Sequence, residues 1–72
     1  MKKEKETNKE KQSKIIFLSL IILLTIYNKA IEFNPQLVQA FYNRGLAKYK
    51  LVDKQGTIQD CNRAIEINPQ FV

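Results

Sequence analysis

The side chains that could do acid–base chemistry lie in the last third of the chain. Asp60, Arg63 and Glu66 follow one another at intervals of three. On a helix, Asp60 and Glu66 face different directions, and Arg63 is an i,i+3 neighbour of both. The spacing predicts carboxylates that are solvated or paired with Arg63, rather than two acids sharing a substrate. The two glycines, Gly45 and Gly56, stand alone, so there is no Gly-rich phosphate loop. The chain has no His, which excludes a His-based triad or a His-containing metal site. Its one cysteine, Cys61, excludes an intramolecular disulfide and reads as a small core residue of a helix. No catalytic residue, cofactor or metal is expected, and the chain reads as a non-enzyme.

Basic residues offer a second chemistry. Lys48, Lys50 and Lys54 flank Tyr49, a pattern that could contact nucleic acid, but Asp53 and Asp60 dilute it. The net charge is +5. Residues 1–14 hold six Lys and three Glu, or +3, and residues 15–72 hold six basic and four acidic residues, or +2. The basic character thus belongs mainly to a leader, which suits an anionic surface or a solvated tail.

The elements that position these groups are helical. Residues 1–14 contain Met1 as their single apolar side chain and are expected to be a disordered leader or a frayed helix extension. Residues 15–27 are apolar apart from Ser19 and Thr25, with no polar face. Thirteen residues span roughly 20 Å, and extension to Phe33 gives about 28 Å, close to the ~30 Å of a bilayer core. Lys29 could then snorkel to the interface. Three readings stand for this stretch: an N-terminal membrane anchor, a buried helix of a soluble assembly, and a cleaved signal peptide. No small-x-small cleavage site follows it, which counts against the last. Asn34-Pro35 should end the helix.

Residues 38–51 carry apolar side chains at Val38, Phe41, Tyr42, Leu46 and Tyr49, an imperfect helical stripe. A turn over 52–54, with Asp53 as N-cap, leads to a helix over 54–67 whose stripe is Ile58, Cys61, Ala64 and Ile65. The short turn makes the two helices antiparallel. The expected fold is all-α, a helix-turn-helix repeat with helices near 14–33, 38–51 and 54–67. Its organisation is a charged leader (1–14), an apolar helix merging into a partial repeat helix (15–33), and one helical hairpin (38–71).

An internal echo organises these elements. Residues 26–38 and 60–72 agree at eight of thirteen positions, 34 residues apart. Both contain Asn-x-Ala-Ile-Glu-x-Asn-Pro-Gln, so Ala30 and Pro35 repeat as Ala64 and Pro69. A period of 34 marks a stacked helical hairpin.

These residues resemble the tetratricopeptide repeat (TPR) family, with one full unit over 38–71 and the tail of a second over about 26–37. Phe41 stands for the first aromatic, Gly45 for the glycine at the close helix crossing, Ala64 for the small residue of the second helix and Pro69 for the closing proline. Arg44, Lys48, Thr57 and Cys61 depart from the family pattern, which implies a weakly packed copy. Val52 lies where the turn often carries Gly; if that turn needs a positive φ, a β-branched residue there is strained. The resemblance implies a protein or peptide partner lying along the first helix of the unit, on Gln39, Tyr42, Asn43, Leu46, Tyr49 and Lys50. Alternatively, these residues pack on 20–33 or face water. It also implies that residues 54–67 present an apolar face without a capping helix, open to self-association. The leading expectation is a membrane-tethered interaction module; the others are a truncated repeat fragment without independent function and a basic nucleic-acid-binding peptide.

Overall fold

A computed structural model describes residues 8–70, with side chains from residue 9. It contains three helices: α1 (Asn8–Phe33), α2 (Val38–Lys50) and α3 (Lys54–Ile67). No strand occurs among the described residues. Helix α2 is the middle element, packed against α1 on one side and α3 on the other.

Helix α1 starts earlier than expected. Residues 8–14 are helical, so for them the expected helix extension holds rather than disorder, and residues 1–7 lie outside the described residues. The physical reason is that Lys, Glu and Gln are strong helix formers. Once the apolar run has nucleated a helix, adding residues to its end is inexpensive. Within the apolar run the Thr25 hydroxyl donates to the Ile21 carbonyl at 3.1 Å, so it needs no partner from outside the helix.

The internal echo is a structural one. Asn34 N–H donates to the Ala30 carbonyl at 2.9 Å, and Asn68 N–H donates to the Ala64 carbonyl at 3.0 Å. The Asn34 side-chain oxygen then accepts from Gln36 N–H at 3.0 Å, and Asn68 accepts from Gln70 N–H at the same distance. Each asparagine therefore folds the chain around its following proline as an Asx turn. Pro35 and Pro69 occupy equivalent exposed corners.

The α2–α3 corner is a Schellman motif. Asp53 N–H donates to the Lys48 carbonyl at 2.8 Å and Val52 N–H to the Tyr49 carbonyl at 2.9 Å. The motif requires the left-handed region at its C′ residue, and Val52 has φ 63°. A branched side chain thus occupies the position that favours glycine. Asp53 caps α3 as expected, its Oδ1 accepting from Gly56 N–H at 3.0 Å. Gly56 sits tightly against that cap: with Asp53 in this rotamer, a Cβ there would lie 2.3 Å from Asp53 Oδ2.

The helices meet on small residues. Ala40, Phe41, Gly45 and Ala47 of α2 are buried, as are Gly56, Asp60 and Ala64 of α3. A Cβ on Gly45 would approach Asp60 Cβ and Cys61 Sγ to 3.3 Å. Thr57 spans the crossing, its hydroxyl within 3.1 Å of the Gly45 carbonyl and 2.9 Å of the Asp53 carbonyl. The expected stripes hold at Phe41, Cys61 and Ala64 but not at their larger flanking members. Ile58 and Ile65 are exposed on the outer side of α3, and Tyr42, Leu46 and Tyr49 are exposed on α2. Close approach at Gly45 draws in the narrow face spaced 56, 60 and 64, which turns the larger apolar side chains outward.

Candidate partner-binding face

The residues expected to hold a partner form one strip along α2. Gln39 lies at its start and its Nε2 donates to Asn43 Oδ1 at 3.0 Å, an i,i+4 bond that fixes both amides. Tyr42 and Leu46 are both about two-fifths exposed, and Tyr49 is 65% exposed. Lys50 is exposed at the end of the strip. Asn43, Leu46, Ala47 and Lys50 line a hollow of about 150 Å³, whose other wall is Leu20, Leu23 and Tyr27 of α1. The six residues thus divide. Asn43, Leu46 and Lys50 face the α1–α2 groove, whereas Gln39, Tyr42 and Tyr49 lie outside its lining.

Behind this strip is a charged cluster that the sequence reading missed. Asp60 is 3% exposed, which contradicts a solvated carboxylate, and its partners are on α2 rather than at Arg63. Arg44 donates from Nε to Asp60 Oδ2 at 2.8 Å and from Nη2 to Oδ1 at 2.7 Å, a bidentate pair. Lys48 Nζ lies 3.1 Å from Oδ2. Arg44 also donates from Nη1 to Asn28 Oδ1 at 2.9 Å, so one guanidinium ties all three helices. Its Cζ is 5.3 Å from the Phe41 ring centroid, and the Arg63 Cζ is 6.0 Å from the same centroid. Arg63 pairs with Glu66 at 3.1 Å, as spacing predicted, but not with Asp60.

Electrostatics follow from this packing. Burial pushes the Asp60 carboxyl up, but the hydrogen bonds and charges of Arg44 and Lys48 outweigh it and leave the group below its ordinary value. The hydrogen bond to Asp60 raises Arg44 against the opposing effect of burial. No buried side-chain polar atom among the described residues lacks a partner. Two departures from the family pattern, Arg44 and Lys48, are therefore coupled through a third residue. The signal was present in the sequence: Arg44 and Lys48 are four apart on one helix face, and Asp60 lies between Gly56 and Ala64 at the same interval.

The residues expected to define the repeat differ in burial. Phe41, Gly45 and Ala64 are buried, Ala30 is half-buried, and Pro35 and Pro69 lie in the two exposed Asx turns. No solved structure matches the chain. The family model for the tetratricopeptide repeat matches residues 38–71. That span contains α2, the Schellman corner, the Asp53-capped α3 and the second Asn-Pro-Gln turn. Over these 34 residues the chain is similar to a tetratricopeptide repeat.

Proposed function

We propose that the chain is a non-catalytic module that binds a protein or peptide through α2 and is tethered to a membrane by α1. Tetratricopeptide repeats generally mediate binding to protein partners and are generally non-catalytic. The observation that carries the reading is the exposed strip of Tyr42, Leu46 and Tyr49, bordered by the Gln39–Asn43 amide pair and Lys50. Tyrosines supply contact area at low entropic cost, and the amides can hold an extended backbone. The strip suits a peptide with apolar side chains and an acidic residue near Lys50. Peptides selected from a display library on the whole chain should lose binding on Tyr49→Ala and on Lys50→Glu. Undiminished binding to both variants would place the contact elsewhere.

The tether reading rests on α1. The helix over Lys9–Phe33 contains an 18-residue window with a mean hydropathy of 1.8 and has the length to cross a bilayer. Ile15, Ile16, Phe17, Leu18 and Ile22 are each more than half exposed. Retention in the membrane pellet through a carbonate wash is expected, and release would remove the tether. The outer side of α3, with Ile58 and Ile65 exposed, is a candidate for contact with a second copy. A nucleic-acid role is disfavoured because Lys48 is committed to Asp60, which leaves Lys50 and Lys54 without it.

A further inference from the structure

Helix α1 has two hosts for the same residues. Its side toward α2 is formed by buried Leu20 and by half-buried Leu24, Tyr27, Ala30 and Ile31. The two helices run antiparallel: Asn28 meets Arg44, and Leu20, Leu23 and Tyr27 share a hollow with Lys50, Ala47 and Asn43. The 13 residues of α2 therefore lie beside roughly 20 Å of α1. Only residues 15–19 of the apolar run extend past α2, roughly 7 Å against a hydrocarbon core of about 30 Å. Pushing α1 deeper with the hairpin in place would carry Lys50, Lys48, Arg44 and Asp60 to hydrocarbon depth. Charges there are excluded unless they face a protein interior or water, and the corner backbone would lose its solvent.

We infer that docking of the hairpin on α1 and insertion of α1 across a bilayer exclude one another, so that lipid competes with α2 for residues 20–31. This rests on the membrane reading above. The competition is open because α2 covers little of α1. Of residues 9–33 only Leu20 is buried, while the apolar side chains around it remain exposed. Release breaks the Asn28–Arg44 hydrogen bond but leaves Arg44 on Asp60, so α2 and α3 keep their own joint. Insertion therefore uncovers the α1-facing side of α2, including Asn43, Leu46 and Ala47.

The test bridges the two helices. In a Cys61→Ser background of the full chain, Leu23→Cys and Ala47→Cys are joined by a short bis-maleimide. Bridged and unbridged chains are then floated with phosphatidylcholine vesicles containing phosphatidylglycerol. High salt keeps the basic leader from holding the chain at the surface. The unbridged chain is expected to float and the bridged chain to remain below. Equal flotation of both overturns the exclusion while leaving the tether reading intact. If neither floats, the tether reading fails and the exclusion with it. A second readout guards against a misfolded bridged form: bridging yield measured after vesicle addition should fall as the floated fraction rises. An unchanged yield in the floated fraction overturns the inference.

Discussion

The Arg44 guanidinium grips both carboxylate oxygens of Asp60, 16 residues further along the chain, and reaches Asn28 with its remaining amino group. This joint replaces apolar contacts at the centre of the repeat. A buried ion pair adds little over an apolar pair of similar volume, but losing one member is costly because the other stays buried and unpaired. The cluster therefore acts on which register of the helices is allowed, since a sliding of α2 would strand Asp60.

Asp60→Asn should lower stability by roughly 3 kcal/mol, measured by urea melts of helical circular dichroism. The effect should depend on pH. The folded-state value of Asp60 is depressed, so its contribution is complete above the ordinary carboxylate value of about 3.9. It is lost as pH falls through the lower folded value. The gap between wild type and Asp60→Asn should be flat from neutral pH to about pH 4 and close below it. A constant gap at all pH values would mean that the charge is not what matters.

Removing both charges together should cost far less. Arg44→Leu combined with Asp60→Leu is expected within about 1 kcal/mol of wild type, against roughly 3 kcal/mol for Asp60→Leu alone. Lys48 can then turn its ammonium to water, since its side chain is already partly exposed. A double-mutant cycle with no coupling would refute the joint.

Val52→Gly should stabilise the chain by about 1 kcal/mol. The left-handed conformation costs a residue with a Cβ about 1–2 kcal/mol, and glycine gives part of that back through its freedom when unfolded. A rise in thermal midpoint is the expected readout. An unchanged or lower midpoint would show that the backbone at Val52 stores no strain.

Gly56→Ala should destabilise despite alanine's higher helix propensity. The added Cβ collides with the Asp53 carboxylate and removes the α3 cap, at a cost of about 1–2 kcal/mol. Asp53→Ala removes the same cap. The double variant should therefore be barely less stable than either single one, and full additivity would separate the two effects.

Much of the scaffold was legible because its signals are local. Pro35 and Pro69 mark helix ends, Asp53 precedes a helical stripe, and the 34-residue echo reports the hairpin. Even the strained turn could be read from Val52 standing where glycine is usual. The charged joint was not legible in the same way. Arg44 and Lys48 each look like a loss of an apolar core residue until the α2–α3 register brings Asp60 between them. The exposure of Tyr49, Ile58 and Ile65 escaped for a related reason: periodicity gives a stripe, but not which edge of it a glycine crossing will select. The helical extension over residues 8–14 was legible only as one of two alternatives, because composition alone cannot show that a neighbouring helix has already nucleated it. On α2, the strip from Gln39 to Lys50 was legible as a face. Its division by the α1 groove was not, because that depends on how a neighbouring helix crosses it.

The two corners of the molecule are held by different bonds. Between α2 and α3, backbone bonds close the exit of one helix, and Asp53 and Thr57 close the start of the next. Between α1 and α2, the Asn34 turn and a bond from Leu37 N–H to the Asn34 carbonyl close the corner, but Leu37, the N-cap of α2, makes no side-chain cap. A force separating the helices would thus bend the chain at a shoulder over residues 34–37 before it touched the elbow at Val52. The hairpin would swing as a single lever arm, carrying Tyr42 and Tyr49 with it in fixed mutual orientation.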